Sequence, residues 1–191
     1  MKLRSLLLVL ALSLAPQLSR AAESKEATFA AGCFWCLEAI FERVPGVTNV
    51  VSGYSGGKTA NPNYGEVSSG KSGYAEAIEL TYDPEKVTYS QLLEIFWRSH
   101  DPTDARGVAP DFGPQYRSAL FYRTPEEKRA IEQLKVTLEQ KLGKPVATQI
   151  VPFEKFYPAE DYHQDYVKKN PKDSYVRNVS IPRVIETGFK E

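Results

Sequence analysis

Apolar residues recur at helical spacing directly after a short strand pattern at residues 27–32. The members of this stripe are Cys36, Leu37, Ile40, Phe41 and Val44. Such spacing is typical of one face of a helix, and Pro45-Gly46 ends the pattern. The sequence therefore predicts a strand followed by a helix, with Cys33 at the junction between them.

The rest of the chain predicts four more strands and two more helices. The strands cover residues 47–53, 75–82, 116–122 and 146–151. A capping box at Thr88-x-x-Gln91 opens one helix, and Thr124-Pro125-x-Glu127 opens the other, which runs to Leu142. The first six elements read βαββαβ. This order predicts an α+β fold with a ferredoxin-like split plait core, plus an additional helix and strand.

Two long segments interrupt these elements, residues 53–73 and 101–115, and neither shows apolar periodicity. Loops of this length within a compact domain are more often functional than idle. We therefore expect part of the functional site to lie in them.

One position in the third predicted strand departs from its surroundings. The apolar residues Ile78, Leu80 and Tyr82 share one face of the strand. Glu76 falls in phase with them, whereas Glu79 points the other way. If that face is buried, desolvation would raise the pKa of Glu76 and make it a proton donor near neutral pH. The alternative is that Glu76 lies at the strand end, where this face of the strand is exposed to solvent.

The first 21 residues resemble an export signal. Lys2 and Arg4 form a basic start, residues 6–14 form an apolar run too short to span a bilayer, and Ser19-Arg20-Ala21 resembles a cleavage site. We expect residues 1–21 to be a signal peptide and residues 22–191 to form one domain. The mature protein is then exported, to the periplasm or the cell exterior, without stable membrane insertion.

Charge gives little reason to expect a nucleic-acid partner. Three of the 24 basic side chains fall in the expected signal peptide, which leaves 21 against 24 acidic ones. A net charge of −3 disfavours phosphate backbones as partners. We expect a monomer.

The chain has two cysteines, Cys33 and Cys36. A bridge across so short a loop would stabilise the fold little, so chemistry is the better reason for the pair. Free N–H groups at a helix N-terminus favour a thiolate, which predicts a lowered pKa and a nucleophilic role for Cys33. Cys36 lies one turn further on the same face, and it is either a second redox thiol or a small apolar residue packed in the helix. A zinc site would need more ligands, and His100 and His163 lack the close pairing of such sites, so we expect no metal.

Five separated motifs within residues 27–168 resemble the peptide methionine sulfoxide reductase A family. They are GCFWCLEAIF, GYSGG, NPNYGEVSSGKSGYAEAIELTYDP, DFGPQYRSALFY and FYPAEDYHQDY. The resemblance implies a mixed plait core with long loops and reduction of the S epimer of methionine sulfoxide. The substrate would be free or carried by oxidised proteins, with no metal or organic cofactor.

The resemblance also implies roles for individual residues. Cys33 is the nucleophile and Glu76 the acid. The implied substrate contacts are Phe34 and Trp35 for the methyl group, Tyr54 and Tyr116 for the sulfoxide oxygen, and Asp111 for binding. Such a set is chemically sensible, because a sulfoxide oxygen leaves poorly until it is protonated.

The chain departs from the family pattern in four places. Cys36 stands where glycine is usual, and the tail at residues 176–191 lacks the distal cysteines that many members use for recycling. Ser68 and Tyr74 replace a frequent cysteine and histidine, and the loop at residues 104–113 differs around Asp111. The first two departures together imply a Cys33–Cys36 disulfide that a thioredoxin-like donor reduces.

Two other classes remain open. A general disulfide oxidoreductase also uses C-x-x-C at a helix N-terminus, although we find no βαβ lead-in or cis-proline loop of the thioredoxin kind. A non-enzymatic module could bind a ligand in a pocket formed by Phe34, Trp35, Tyr54 and Tyr116.

Overall fold

The computed structural model describes residues 23–190, so the expected signal peptide lies outside the described residues. The strands are β1 (Lys25–Ala30), β2 (Val47–Ser55), β3 (Ala75–Tyr82), β4 (Gly107–Val108), β5 (Asp111–Phe112), β6 (Ala119–Tyr122), β7 (Gln149–Pro152) and β8 (Phe156–Pro158). The helices are α1 (Phe34–Phe41), α2 (Tyr64–Ser68), α3 (Tyr89–Arg98), α4 (Pro125–Leu142), α5 (Tyr166–Lys169) and α6 (Ile181–Glu186). A π-helical turn at Val176–Ser180 leads into α6. Between residues 23 and 190 no helix is both long and apolar enough to cross a bilayer.

Six strands form one sheet in the order β7-β6-β1-β3-β2-β8. Among its four central strands, β6, β1, β3 and β2, each strand is antiparallel to its neighbours. With α1 and α3 as the connecting helices, they give the βαββαβ order of a ferredoxin-like α+β fold, as the sequence predicts. The additional strands extend both edges, β7 parallel to β6 and β8 antiparallel to β2.

Several elements were predicted closely because their end signals are local. Strand β3 has the predicted bounds. The capping box of α3 is present, with Thr88 and Gln91 bonded reciprocally. Helix α4 begins after the Thr124 cap and ends at Leu142, before Gly143 in the left-handed conformation.

Other predicted boundaries were wrong. Strand β6 begins at Ala119 rather than at 116, because Pro114–Tyr116 forms a 3-10 turn in which the Tyr116 N–H bonds the Gly113 carbonyl at 3.0 Å. The first long loop contains α2, which is capped by the Asn63 side chain. The second contains the β4–β5 hairpin. Strand β8 and the C-terminal helices were not predicted.

Helix α1 is buried on nearly every side, and this burial determines where the site lies. Strands β2 and β3 pack on one side of it, and α5, the π-helical turn and α6 pack on the other. Its buried ring Phe41 meets Phe29 of β1 at 5.5 Å between centroids, and Phe29 meets Phe96 of α3 at 5.4 Å. The two cysteines therefore lie between the sheet and the C-terminal segment.

Candidate active site

The backbone turns sharply between β1 and α1 and places Cys33 at the junction, as predicted. Gly32 adopts φ +68°, and a Cβ there would lie 2.8 Å from the Val108 side chain. Glycine suits both the left-handed conformation and the close approach. Cys33 then occupies the N-cap of α1 in an extended conformation, with only 6% of its surface exposed.

Glu76 lies on the buried face of β3 and bonds the first turn of α1. Its side chain is 2% exposed, and its Oε2 accepts the Phe34 N–H at 3.1 Å. Burial raises the pKa of Glu76 to about 8, although the bond from Phe34 opposes the shift. The buried-face interpretation is confirmed and the strand-end alternative is wrong. Near neutral pH the group is largely a carboxylic acid beside Cys33.

The two thiols have opposite electrostatic surroundings. Burial raises the pKa of Cys33 well above its usual range, and the side-chain hydrogen bond with Cys36 adds to the shift. The same bond is the main cause that lowers the pKa of Cys36 to about 6, with Arg183, Ser180 and Tyr175 contributing. The predicted lowering of the Cys33 pKa was wrong, because desolvation outweighs the N–H groups of the helix end. The geometry agrees for Cys36, whose Sγ lies 3.3 Å from the Ser180 hydroxyl.

An aromatic wall adjoins the cysteines. The Phe34 ring lies 4.9 Å from the His163 ring, and Trp35 stacks on Tyr166 at 3.6 Å with an interplanar angle of 5°. The Trp35 indole N–H donates to His163 Nδ1 at 3.2 Å. Since burial lowers the pKa of His163, this bond fixes its neutral tautomer, with the proton on Nε2. Apolar atoms can pack against these ring faces.

The structure does not place the Tyr54 hydroxyl where the resemblance implies. Tyr54 is fully buried, and its O–H donates to Glu160 Oε2 at 2.8 Å. That proton is used inside the protein, so Tyr54 supports the site from behind.

Tyr64 and Tyr116 are the hydroxyls that share the surroundings of Cys33 and Glu76. Desolvation and the charges of Glu76 and Cys33 raise the pKa of Tyr64 to about 12, and they raise the pKa of Tyr116 as well. Both groups are neutral donors. Sequence reasoning missed Tyr64 because it treated NPNYGEV as loop, although Asn63 before a short turn is an N-cap signal.

Asp111 reaches the site through Tyr175. Its Oδ2 accepts the Tyr175 hydroxyl proton, and burial raises the pKa of the half-buried carboxyl. The same hydroxyl lies 4.0 Å from Cys36 Sγ. Sequence reasoning did not identify Tyr175, because no local pattern shows that the tail returns to α1.

No cluster of metal-ligating side chains was found within residues 23–190.

A family model described as peptide methionine sulfoxide reductase matches residues 25–189. The chain belongs to the peptide methionine sulfoxide reductase family. Membership confirms the resemblance of the five motifs and makes the chain an oxidoreductase, in preference to a binding module.

Individual members of the family cover most of the chain. It is 45% identical over 169 residues to "Peptide methionine sulfoxide reductase MsrA" of Leptospira borgpetersenii, covering 87% of this chain and 96% of the relative. The reduced form of Mxr1 from Saccharomyces cerevisiae is 35% identical with a TM-score of 0.74, covering 78% of this chain and 87% of that one. Mxr1 in complex with Trx2 is 25% identical with a TM-score of 0.55, covering 78% and 91%.

Proposed function

We propose that this protein reduces the S epimer of methionine sulfoxide, free or within oxidised proteins, to methionine. The observation that carries the proposal is the buried acid Glu76, bonded to the Phe34 N–H directly beside Cys33. A sulfoxide oxygen needs a proton before its bond to sulfur breaks, and a nucleophile must attack that sulfur from close by. Family membership agrees with this chemistry.

The first step transfers the oxygen to Cys33. The sulfur of Cys33 attacks the sulfoxide sulfur while Glu76 protonates the oxygen, and the Cys33 proton passes to its hydrogen-bond partner Cys36. Methionine leaves, and the hydroxyl ends on Cys33 as a sulfenic acid. The sulfoxide is reduced by two electrons and Cys33 is oxidised by two.

Neutral hydroxyls hold the sulfoxide oxygen during this step. We assign this role to Tyr116 and Tyr64, since both lie in the field of Glu76 and Cys33, and the Tyr54 proton is bound to Glu160. The aromatic faces of Phe34 and Trp35 pack against the substrate methyl group. Asp111 contributes through Tyr175 rather than as an isolated carboxylate.

The second step removes the sulfenic acid. Cys36 attacks the Cys33 sulfur, a disulfide forms, and the hydroxyl leaves with one proton as water. The two residues are three positions apart in one helical turn, so a good bridge requires that turn to distort. The complex of yeast Mxr1 with Trx2 supports a thioredoxin-like donor as the reductant of this disulfide.

The basic and apolar pattern of residues 1–21 supports export, so the donor would meet the enzyme in the periplasm or outside the cell. The mature chain would act as a monomer. Mass spectrometry of the protein from secreted and periplasmic fractions tests this part of the proposal. We expect a mature chain that begins near residue 22.

The function is tested by one turnover in the absence of reductant. Purified reduced protein is mixed with excess S-epimer methionine sulfoxide, and methionine and free thiols are counted. We expect about one methionine per chain and the loss of both thiols as a disulfide. Methionine formed from the R epimer but not from the S epimer, or reduction of insulin disulfides without methionine formation, would assign the chain to another activity.

A further inference from the structure

The C-terminal segment places polar side chains against Cys36. Cys36 Sγ and Ser180 Oγ are hydrogen bonded at 3.3 Å, and the Tyr175 hydroxyl lies 4.0 Å from the same sulfur. Because the Tyr175 proton is bound to Asp111, Ser180 is the hydroxyl that can donate to Cys36. Cys36 and Ser180 are both fully buried. A thiol that merely packs in an apolar helix stripe has no need of such a partner. We call Ser180 and Arg183 the tail cradle.

Arg183 brings a buried positive charge to this place. Its side chain is 8% exposed, its Nε donates to the Ser99 carbonyl at 2.6 Å, and its Nη2 donates to the Ala31 carbonyl at 2.9 Å. Among residues 23–190, no carboxylate lies within ion-pair distance of its guanidinium. A buried cation without a paired anion is costly. A nearby anion would offset part of that cost.

Cys36 and Asp111 are the groups that meet this requirement, since the positive charge of Arg183 acts to lower the pKa of both. For Cys36, the bond with Cys33 is the largest lowering cause, and Arg183 and the hydrogen bond with Ser180 act in the same direction. The Ala31 carbonyl that holds the guanidinium lies two residues before Cys33. Arg183 is thereby fixed to the strand-to-helix junction that carries both thiols.

We propose that the tail cradle holds Cys36 as a thiolate and so makes it the attacking sulfur that resolves oxidised Cys33. This inference rests on the proposed function and adds two positioning residues to it, Ser180 and Arg183. The thiolate of Cys36 attacks the sulfenyl sulfur of Cys33, the Cys36–Cys33 bond forms, and the bond from Cys33 to its hydroxyl breaks. The proton that Cys36 accepted from Cys33 in the first step leaves it before this attack, and the departing hydroxide takes up one proton and leaves as water, with no electrons drawn from outside the pair.

Other titratable groups also face Cys36. Cys33 lies on the same helix, Glu76 faces it from β3, and Asp111 reaches it through Tyr175. The pH titration of Cys36 is therefore compared only between variants that carry the same set of these three groups.

Direct titration of Cys36 tests the cradle without any turnover. In a Cys33→Ser background, Cys36 is the remaining thiol of the chain, and its thiolate absorbance is followed against pH. We expect Ser180→Ala and Arg183→Gln to move the midpoint upward, by roughly one pH unit for the charge change. Arg183→Lys, which keeps the charge, should stay closer to the parent.

Two matched controls separate the cradle from general loosening of the fold. Arg43→Gln removes another arginine that donates to two carbonyls, those of Ala39 and Lys190, and that also connects α1 to the tail. Ser55→Ala removes a buried hydroxyl that donates to the Lys155 carbonyl. Both controls should leave the midpoint unchanged.

A single turnover then links the titration to recycling. With Cys33 restored, Ser180→Ala and Arg183→Gln should still release about one methionine per chain, while the sulfenic acid persists roughly twice as long at pH 7 and nearly ten times longer at pH 5. Those factors follow because a midpoint that rises from about 6 to about 7 lowers the thiolate fraction about twofold at pH 7 and about tenfold well below pH 6. If Arg183→Gln fails to fold, Ser180→Ala decides. Unchanged midpoints in Ser180→Ala and in folded Arg183→Gln would overturn the inference, whereas absence of methionine release from wild-type protein would overturn the proposed function alone.

Discussion

Cys33 and Cys36 lie three residues apart in one helix, yet the protein surrounds them in different ways. Cys33 lies at the N-cap against the sheet, where it faces the buried acid Glu76. Cys36 faces the C-terminal segment, with a serine hydroxyl, a tyrosine hydroxyl and a buried guanidinium around it. Burial raises the pKa of Cys33, and polar contacts lower the pKa of Cys36.

The contrast explains how two identical side chains can have different roles. The nucleophile needs an acid beside it to protonate the substrate oxygen, and the sheet supplies that acid. The resolving thiol needs no acid, but it has to exist as a thiolate. Because helix α1 is covered by the sheet on one side and the tail on the other, each thiol takes its properties from a different segment.

Replacing Cys33 should have the largest effect. Cys33→Ser removes the atom that receives the oxygen, so methionine release should be abolished even in a single turnover. The fold should remain, since serine is similar in size at this N-cap and is favourable there. Release measured by chromatography, with circular dichroism as the folding control, checks both points, and full activity in this variant would end the assignment.

Replacing Cys36 should separate the two steps. Cys36→Ser should still release about one methionine per chain, accumulate sulfenic acid at Cys33, and lose thioredoxin-dependent cycling. Trapping with dimedone and intact mass measures the sulfenic acid. Normal cycling with thioredoxin would mean that an external thiol resolves Cys33 and that Cys36 only packs in the helix.

How far this contrast could be foreseen depends on the range of each signal. The place of Cys33 follows from a strand pattern, a helix stripe and the cysteine between them, which are all local. The burial of Glu76 follows from the two-residue period of β3. The contacts of Ser180 with Cys36 and of Arg183 with Ala31 join residues more than 140 apart in the chain, and no periodicity encodes them.

Two errors at the site have the same origin. Tyr54 lies near the end of β2 in a recognisable motif, but its hydroxyl donates to Glu160, more than 100 residues further along the chain. The helix N-terminus suggested an acidic Cys33, but the local argument omitted the desolvation that packing against β3 and the tail produces. Local chemistry indicated which residues matter, and tertiary packing determined their protonation.

Glu76 provides the next test of the sheet-facing half. Glu76→Gln keeps a neutral group of the same shape but cannot donate a proton, so the single-turnover rate should fall on the order of 10²-fold. Glu79→Gln is the matched control, because Glu79 lies on the same strand with its side chain toward Arg123.

The pH dependence of that step has a definite sign. Only the protonated acid is active and its pKa is raised to about 8, so the rate contributed by Glu76 should be retained below that pH and decline as the pH rises through it. Stopped-flow measurement of methionine release across this range checks the trend. A rate that does not change in Glu76→Gln would remove the acid from the mechanism.

The smallest effect is expected from the hydroxyls, where Tyr64 and Tyr54 make a matched pair. Tyr64→Phe removes a donor from the surroundings of Cys33 and Glu76, and Tyr116 remains as a second donor. The single-turnover rate should therefore fall by about tenfold, which corresponds to one neutral hydrogen bond. Tyr54→Phe breaks only the bond to Glu160, so it should lower thermal stability more than the chemical rate. Stopped-flow rates and melting curves of both variants distinguish the two roles. A larger loss of rate in Tyr54→Phe than in Tyr64→Phe would assign the sulfoxide contact to Tyr54. The substrate would then have to displace Glu160 from the Tyr54 hydroxyl.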